Sequence, residues 1–163
     1  ELIMAHYAKL SENNEVLQVL TLDDVNEQNE AGETVESIGQ AYLEKHNNWP
    51  AHLWKKCSYN TISAPEGSFH KLGGTPYRGV YASINMVYDS TRNVFRHKQP
   101  YSSWTFNDTS NEWEPPVECP ETTTEMQGFN DVGEPVTKTV TDLYDWDEEN
   151  QTWVKTDSGY LSL

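Results

Sequence analysis

Apolar and polar positions along this chain change rhythm every few residues. "AHYAKL", "SENN" and "EVLQVLTL" read as strand, polar turn and strand. Val16, Leu17, Val19, Leu20 and Leu22 are too densely apolar for a strand with one face in water, so this hairpin is expected in the core. An acidic linker, "DDVNEQNE", follows. Ala31, Val35, Ile38 and Tyr42 then fall at helical spacing, predicting a helix that Gly39 weakens and that "HNNWP" stops. "HLWKKCSYNTIS" and "YRGVYASINMVY" read as further strands, separated by the Gly- and Pro-containing loop "APEGSFHKLGGTP". Residues 4–87 are thus expected to form a compact α+β unit, a small antiparallel sheet with one helix.

Beyond residue 87 the pattern is one of turns. "YDSTRNVF" (88–95), "FNDTSNEW" (106–113) and "WDEENQTW" (146–153) share a template: aromatic, Asp or Asn, three polar residues, Asn or Gln, any residue, aromatic. Pairing Asp89 with Val94 across a four-residue loop sets Tyr88 opposite Phe95. The same arithmetic sets Phe106 opposite Trp113 and Trp146 opposite Trp153. Asn93, Asn111 and Gln151 occupy the position where a left-handed residue closes such loops; Asn suits it and Gln suits it poorly. The fold expected is α+β and mostly β, the compact unit being followed by successive aromatic-stapled hairpins in an acidic tail, 88–163. "ETTTEMQGFNDVGEPVTKTV", with few large apolar residues, reads as a polar loop or extended arm near 121–141.

Composition narrows the partners. Of 163 residues, 26 are acidic and 11 basic, giving a net charge of −15, which opposes phosphate backbones and anionic lipid surfaces. Residues 99–163 carry 14 acids and 2 bases, so that stretch alone holds −12 of the charge. Nucleic acid and membrane are not expected partners. Met4 reads as a coding start with Glu1, Leu2 and Ile3 set aside, and no secretory signal is recognised, so the chain is expected to be made in a host cytoplasm with Cys57 and Cys119 as free thiols.

Candidate chemistry is sparse. His46, His52, Cys57 and His70 lack the short ligand spacing of a zinc site. "DWDEEN" places Asn150 where a calcium loop needs Gly and Thr156 where it needs Glu. The sequons at Asn107 and Asn150 do not meet the glycosylation machinery in a chain without a signal peptide. No nucleophile, base and orienting group assemble into a catalytic set. Neither enzyme activity nor a metal or other cofactor is expected.

"MAHYAKLSENNEVLQVLTLDD", "WKKCSYNT" and above all "GGTPYRGVYASINMVYDSTRNVFRHKQPYSSWTFNDTSNEWEPPVECP" resemble a family of small proteins of tailed phages that infect marine cyanobacteria and other marine bacteria. Tyr81–Ile84, Tyr88, Asp89, Arg92, Phe95, Pro100, Tyr101, Ser103, Trp104, Trp113, Glu114, Pro116 and Val117 carry the match, as do Tyr144, Trp146, Asp147 and Trp153 in the last hairpin. Asn85, where the family commonly has Gly, and an insertion ahead of the last hairpin depart from it. The resemblance implies a virion-associated protein without known catalytic activity. Three readings follow: a structural or tail- and fibre-associated component contacting other virion proteins or its own copies; a host-surface glycan-binding module using Tyr88, Trp104, Trp113, Trp146 and Trp153; or a tail-fibre assembly chaperone. A sugar site needs ring faces for stacking and carboxylates to accept hydroxyl protons; a staple needs only the cross-strand pair.

Overall fold

Strands β1 (Met4–Leu10) and β2 (Val16–Asp23) form the expected antiparallel hairpin, with Tyr7 opposite Leu20. In its turn, Ser11 Oγ accepts the N–H groups of Asn13 and Glu15, and Asn14 takes the left-handed conformation at φ 63°. These come from a computed structural model that describes residues 4–62, 69–71, 77–120, 123–129 and 132–160. The fold is α+β and mostly β.

Strand β3 (Trp54–Cys57) joins the other edge of β1, giving the order β2-β1-β3. Because successive side chains point to opposite faces, the sheet carries two cores. One gathers Ala5, Tyr7, Leu22 and Trp54 with Leu43 of helix α1 (Glu36–Asn47). The other gathers Ala8, Leu10, Val16 and Cys57 with Leu53, Val80, Ala82, Met86, Tyr88 and Phe95. Covering both faces explains the dense apolar spelling of β2, although Leu17 stays 43% exposed.

The helix starts later than its apolar spacing suggests. Asn29 Oδ1 accepts the N–H groups of Ala31 and Glu33, folding that segment into a turn, so Ala31 is exposed and Val35 only caps the helix. At the far end Asn48 adopts φ 50°, the left-handed stop expected of "HNNWP". Gly39 is required by packing: a Cβ there would lie 2.8 Å from Tyr7 Cζ and 3.1 Å from Glu27 Cβ. Tyr7 and Glu27 are both fully buried, and Tyr7 Oη donates to Glu27 Oε2 at 2.6 Å. Lys56 Nζ pairs with the same carboxylate, and Arg78 clasps Glu36 through both terminal nitrogens. Burial, reinforced by Glu27, raises the Tyr7 hydroxyl well above its ordinary range, so it stays a donor.

"YRGVYASINMVY" is not the continuous strand its alternation suggests. Arg78, Gly79 and Asn85 all have positive φ, and residues 77–85 run as bends, irregular backbone and a turn, with Val80 and Ala82 in the second core. The carbonyl of Arg78 accepts from Phe95 N, and its guanidinium donates to Lys56 O, which pins the irregular backbone from two sides. Regular pairing resumes only in β6 (Val87–Asp89) and β7 (Val94–Arg96), beyond the two-stranded pair β4 (Thr61–Ile62) and β5 (Phe69–His70). The rest of the expected loop 64–76 lies largely outside the described residues.

A second hairpin follows, β8 (Thr105–Asn107) with β9 (Glu112–Glu114). The chain divides into two units, residues 1–98 with 106–113, and residues 99–105 with 114–163. This differs from a boundary after residue 87: the first two hairpins fold with the N-terminal sheet, because Asn111 Nδ2 and Trp113 Nε1 donate to the carbonyls of Phe95 and His97.

The second unit corrects the expected polar loop near 121–141. Thr123–Phe129 and Pro135–Asp147 are strands β10 and β11, paired antiparallel, and β12 (Thr152–Tyr160) completes the order β10-β11-β12. Threonine and valine recur through this segment, and β-branched side chains favour pleated backbone even where few large apolar residues are present. A bulge between Leu143 and Tyr144 shifts the β11–β12 register.

Candidate functional site

The three template segments are built alike. Tyr88 pairs with Phe95 and Trp146 with Trp153 in the register that the sequence arithmetic gives. Ring centroids are 5.3 Å apart in Tyr88–Phe95, in Phe106–Trp113 and in Trp146–Trp153. The first loop residue closes each turn through its side-chain oxygen. Asp89 Oδ1 accepts from the backbone of Thr91 and Arg92, Asn107 Oδ1 from Thr109 and Ser110, and Asp147 Oδ1 from Glu149 and Asn150. The residue closing each loop is left-handed, with φ 57° at Asn93, 60° at Asn111 and 49° at Gln151.

What surrounds each staple differs. Tyr88 and Phe95 are buried in the second core of the sheet, where Tyr88 Oη and Arg78 Nε both donate to Asn93 Oδ1. Phe106 and Trp113 are clasped by cations: Arg92 and Arg96 lie 5.3 and 5.5 Å from the Phe106 ring centre, and Arg96 lies 5.0 Å from that of Trp113. Asp89 anchors both arginines. Burial works against the Asp89 charge, but the Arg92 backbone and the two guanidinium groups outweigh it and hold the carboxyl below its ordinary value.

The third staple lies in a cluster of tryptophans within the second unit. Trp104 meets Trp146 and Trp153 edge-on at 6.1 and 6.0 Å, and Tyr101 lies against Trp104 at 5.6 Å. Glu148 ties this cluster together. Its carboxylate accepts from Ser102 Oγ (2.6 Å), Ser103 N (2.9 Å), Ser103 Oγ (2.6 Å) and Trp146 Nε1 (2.8 Å). Hydrogen bonds from Ser102, then Ser103 and Trp146, pull its pKa from 4.5 down to about 2. Trp153 Nε1 donates to Val117 O, whereas Trp104 Nε1 is buried without a hydrogen-bond partner among the described residues.

The five aromatics named as a possible sugar site therefore separate. Trp104, Trp146 and Trp153 come together; Tyr88 and Trp113 belong to other staples in the first unit. Arg92, Arg96, Ser102 and Glu148 are central to these arrangements, yet the apolar pattern does not single them out. Their signal is a charged or hydroxyl residue within a few positions of an aromatic, which is common on any surface. Among the described residues, no three His, Cys, Asp or Glu side chains gather to hold a metal ion. No described helix is long and apolar enough to cross a membrane.

Fold and site define a β-rich protein whose polar turns are stapled by aromatic pairs. No protein-family model, curated protein or solved structure matches the chain.

Proposed function

We propose that this chain is a non-enzymatic structural component of a phage particle, associated with the tail or its fibres and contacting other virion proteins or further copies of itself. The observation that carries the reading is the commitment of the chemical groups around the aromatics to the protein's own scaffold. Glu148 spends its carboxylate on four internal donors, and the indoles of Trp113 and Trp153 spend theirs on backbone carbonyls. A carboxylate so occupied is a poor general base and a poor acceptor for a sugar hydroxyl. Edge-on packing among Trp104, Trp146 and Trp153 likewise uses ring surface that a sugar would need. The sequence resemblance to proteins of marine tailed phages points the same way.

Contacts with other chains have surface to use. Strands β10 and β12 form the edges of their sheet, and Leu143 and Val154 are 53% and 46% exposed upon it. The test is co-sedimentation: the chain should travel with intact particles through a density gradient of an infected culture. Recovery solely in the soluble lysate would reject the structural role in favour of an assembly factor.

A further inference from the structure

The loops of the first two hairpins border an open depression of about 480 Å³, lined by Thr91, Arg92, Val94, Asp108 and Asn111. That volume lies within the roughly 300–1,000 Å³ usual for small-ligand sites. Its principal donor is tied to two carboxylates. Arg92 Nε bonds Asp108 Oδ1 at 2.5 Å, Nη1 bonds Asp89 Oδ2 at 3.2 Å, and the guanidinium lies over the Phe106 ring. Among the described residues, Arg92 Nη2 and Asp108 Oδ2 have no protein partner. The Asp108 side chain is 68% exposed, so this second oxygen is open to solvent.

A guanidinium N–H beside a carboxylate oxygen is a matched donor and acceptor. Two adjacent hydroxyls fit such a pair: one accepts from Arg92 Nη2 and the other donates to Asp108 Oδ2. Val94 offers an apolar patch for a C–H face, and Thr91 can add a further hydroxyl contact. Charge selects among diols. Asp89 and Asp108 balance Arg92 and Arg96, and the chain as a whole carries −15, so nothing here draws an anion. Contacts with Asp89, Asp108 and Phe106 already orient Arg92 before a ligand arrives, which lowers the ordering cost of binding.

The geometry points to a binding site for a neutral saccharide between the two hairpin loops, with Arg92 and Asp108 as the paired recognition groups. It rests on the particle-component reading for where the chain would meet such a sugar, a host surface. It also moves sugar recognition away from the tryptophans.

The experiment is titration of the full-length ¹⁵N-labelled chain with methyl glucopyranoside, methyl galactopyranoside and methyl mannopyranoside, with glucuronate as an anionic comparison. The site predicts saturable amide shifts at Thr91, Arg92, Asp108 and Asn111 for at least one neutral sugar. Binding should weaken at least about tenfold in Asp108→Ala and in Arg92→Lys, since each removes one half of the pair. Spectra of the free variants should otherwise match the parent, which separates lost recognition from lost folding. No saturable shift with any of the three sugars, shifts confined to the indole signals of Trp104 or Trp153, tighter binding of glucuronate, or unchanged affinity in both variants would each overturn the site. Particles that carry the chain while it binds no sugar would sink this site alone; particles that lack the chain would sink the reading beneath it.

Discussion

Gly39→Ala offers a sharp test of the N-terminal packing, because two physical effects predict opposite signs. Alanine is favoured over glycine in a helix interior by about 0.8–1 kcal/mol. At this position, however, the added Cβ would sit 2.8 Å from Tyr7 Cζ and closer still to the phenol oxygen. Tyr7 is fully buried between β1 and the helix and has no open direction in which to retreat. Overpacking of this kind costs about 1–3 kcal/mol. Displacing the phenol also breaks its bond to the buried Glu27 carboxylate, and a hydrogen bond to a charged group contributes about 1.5–3 kcal/mol. After subtracting the propensity gain, the expected net loss is about 2–5 kcal/mol. Urea denaturation followed by tryptophan fluorescence and circular dichroism measures it. Tyr7→Phe in the same background should recover part of the loss, since it removes the oxygen nearest the new Cβ. Stabilisation of Gly39→Ala by the amount that helix propensity alone allows would refute the packing argument.

Other consequences follow from the loops and clusters. A carboxyl held low by the fold contributes stability that is complete above its ordinary value of 4.5 and is lost as pH falls through about 2, so near-ultraviolet dichroism of the tryptophan cluster should fade across that interval. Glu148→Gln should weaken the same signal already at neutral pH, and a parent signal that survives unchanged to pH 2 would contradict the role given to Glu148. Gln151 is an exposed, left-handed residue, so Gln151→Gly should raise stability by about 1 kcal/mol in urea titration; a loss would mean that the loop does not hold φ near 49°. Burial pushes the Cys57 thiol up to about 12 and shields it, whereas Cys119 is half-buried. A thiol reagent should therefore modify Cys119 in the native protein and Cys57 only after unfolding, and equal rates would contradict the core assignment.

Local rules made much of this fold legible. Fixed spacing and turn chemistry act over fewer than ten residues, so the β1–β2 hairpin, the aromatic pairs and the left-handed Asn93 and Asn111 could be read from sequence, whereas Gln151 takes the same conformation although its residue type suits it poorly. The failures came where a competing local or long-range interaction decided. Asn29 captured backbone that apolar spacing assigned to the helix. Left-handed Arg78 and Asn85 bent a stretch whose alternation suggested a strand. Threonine-rich backbone became β10 and β11 although it offered few large apolar residues, because pairing with a neighbouring strand was available. Glu148 shows the limit for the candidate site: its partners Ser102 and Ser103 lie 46 and 45 residues away, and no local pattern announces them.

Quantitative mass spectrometry of density-purified particles tests the central claim most directly, by counting copies of this chain against the major capsid protein. A structural component predicts a fixed number of copies that repeats between preparations and withstands salt washing. Absence, or a trace amount that falls with each wash while the lysate remains rich in the chain, would contradict a structural place in the particle.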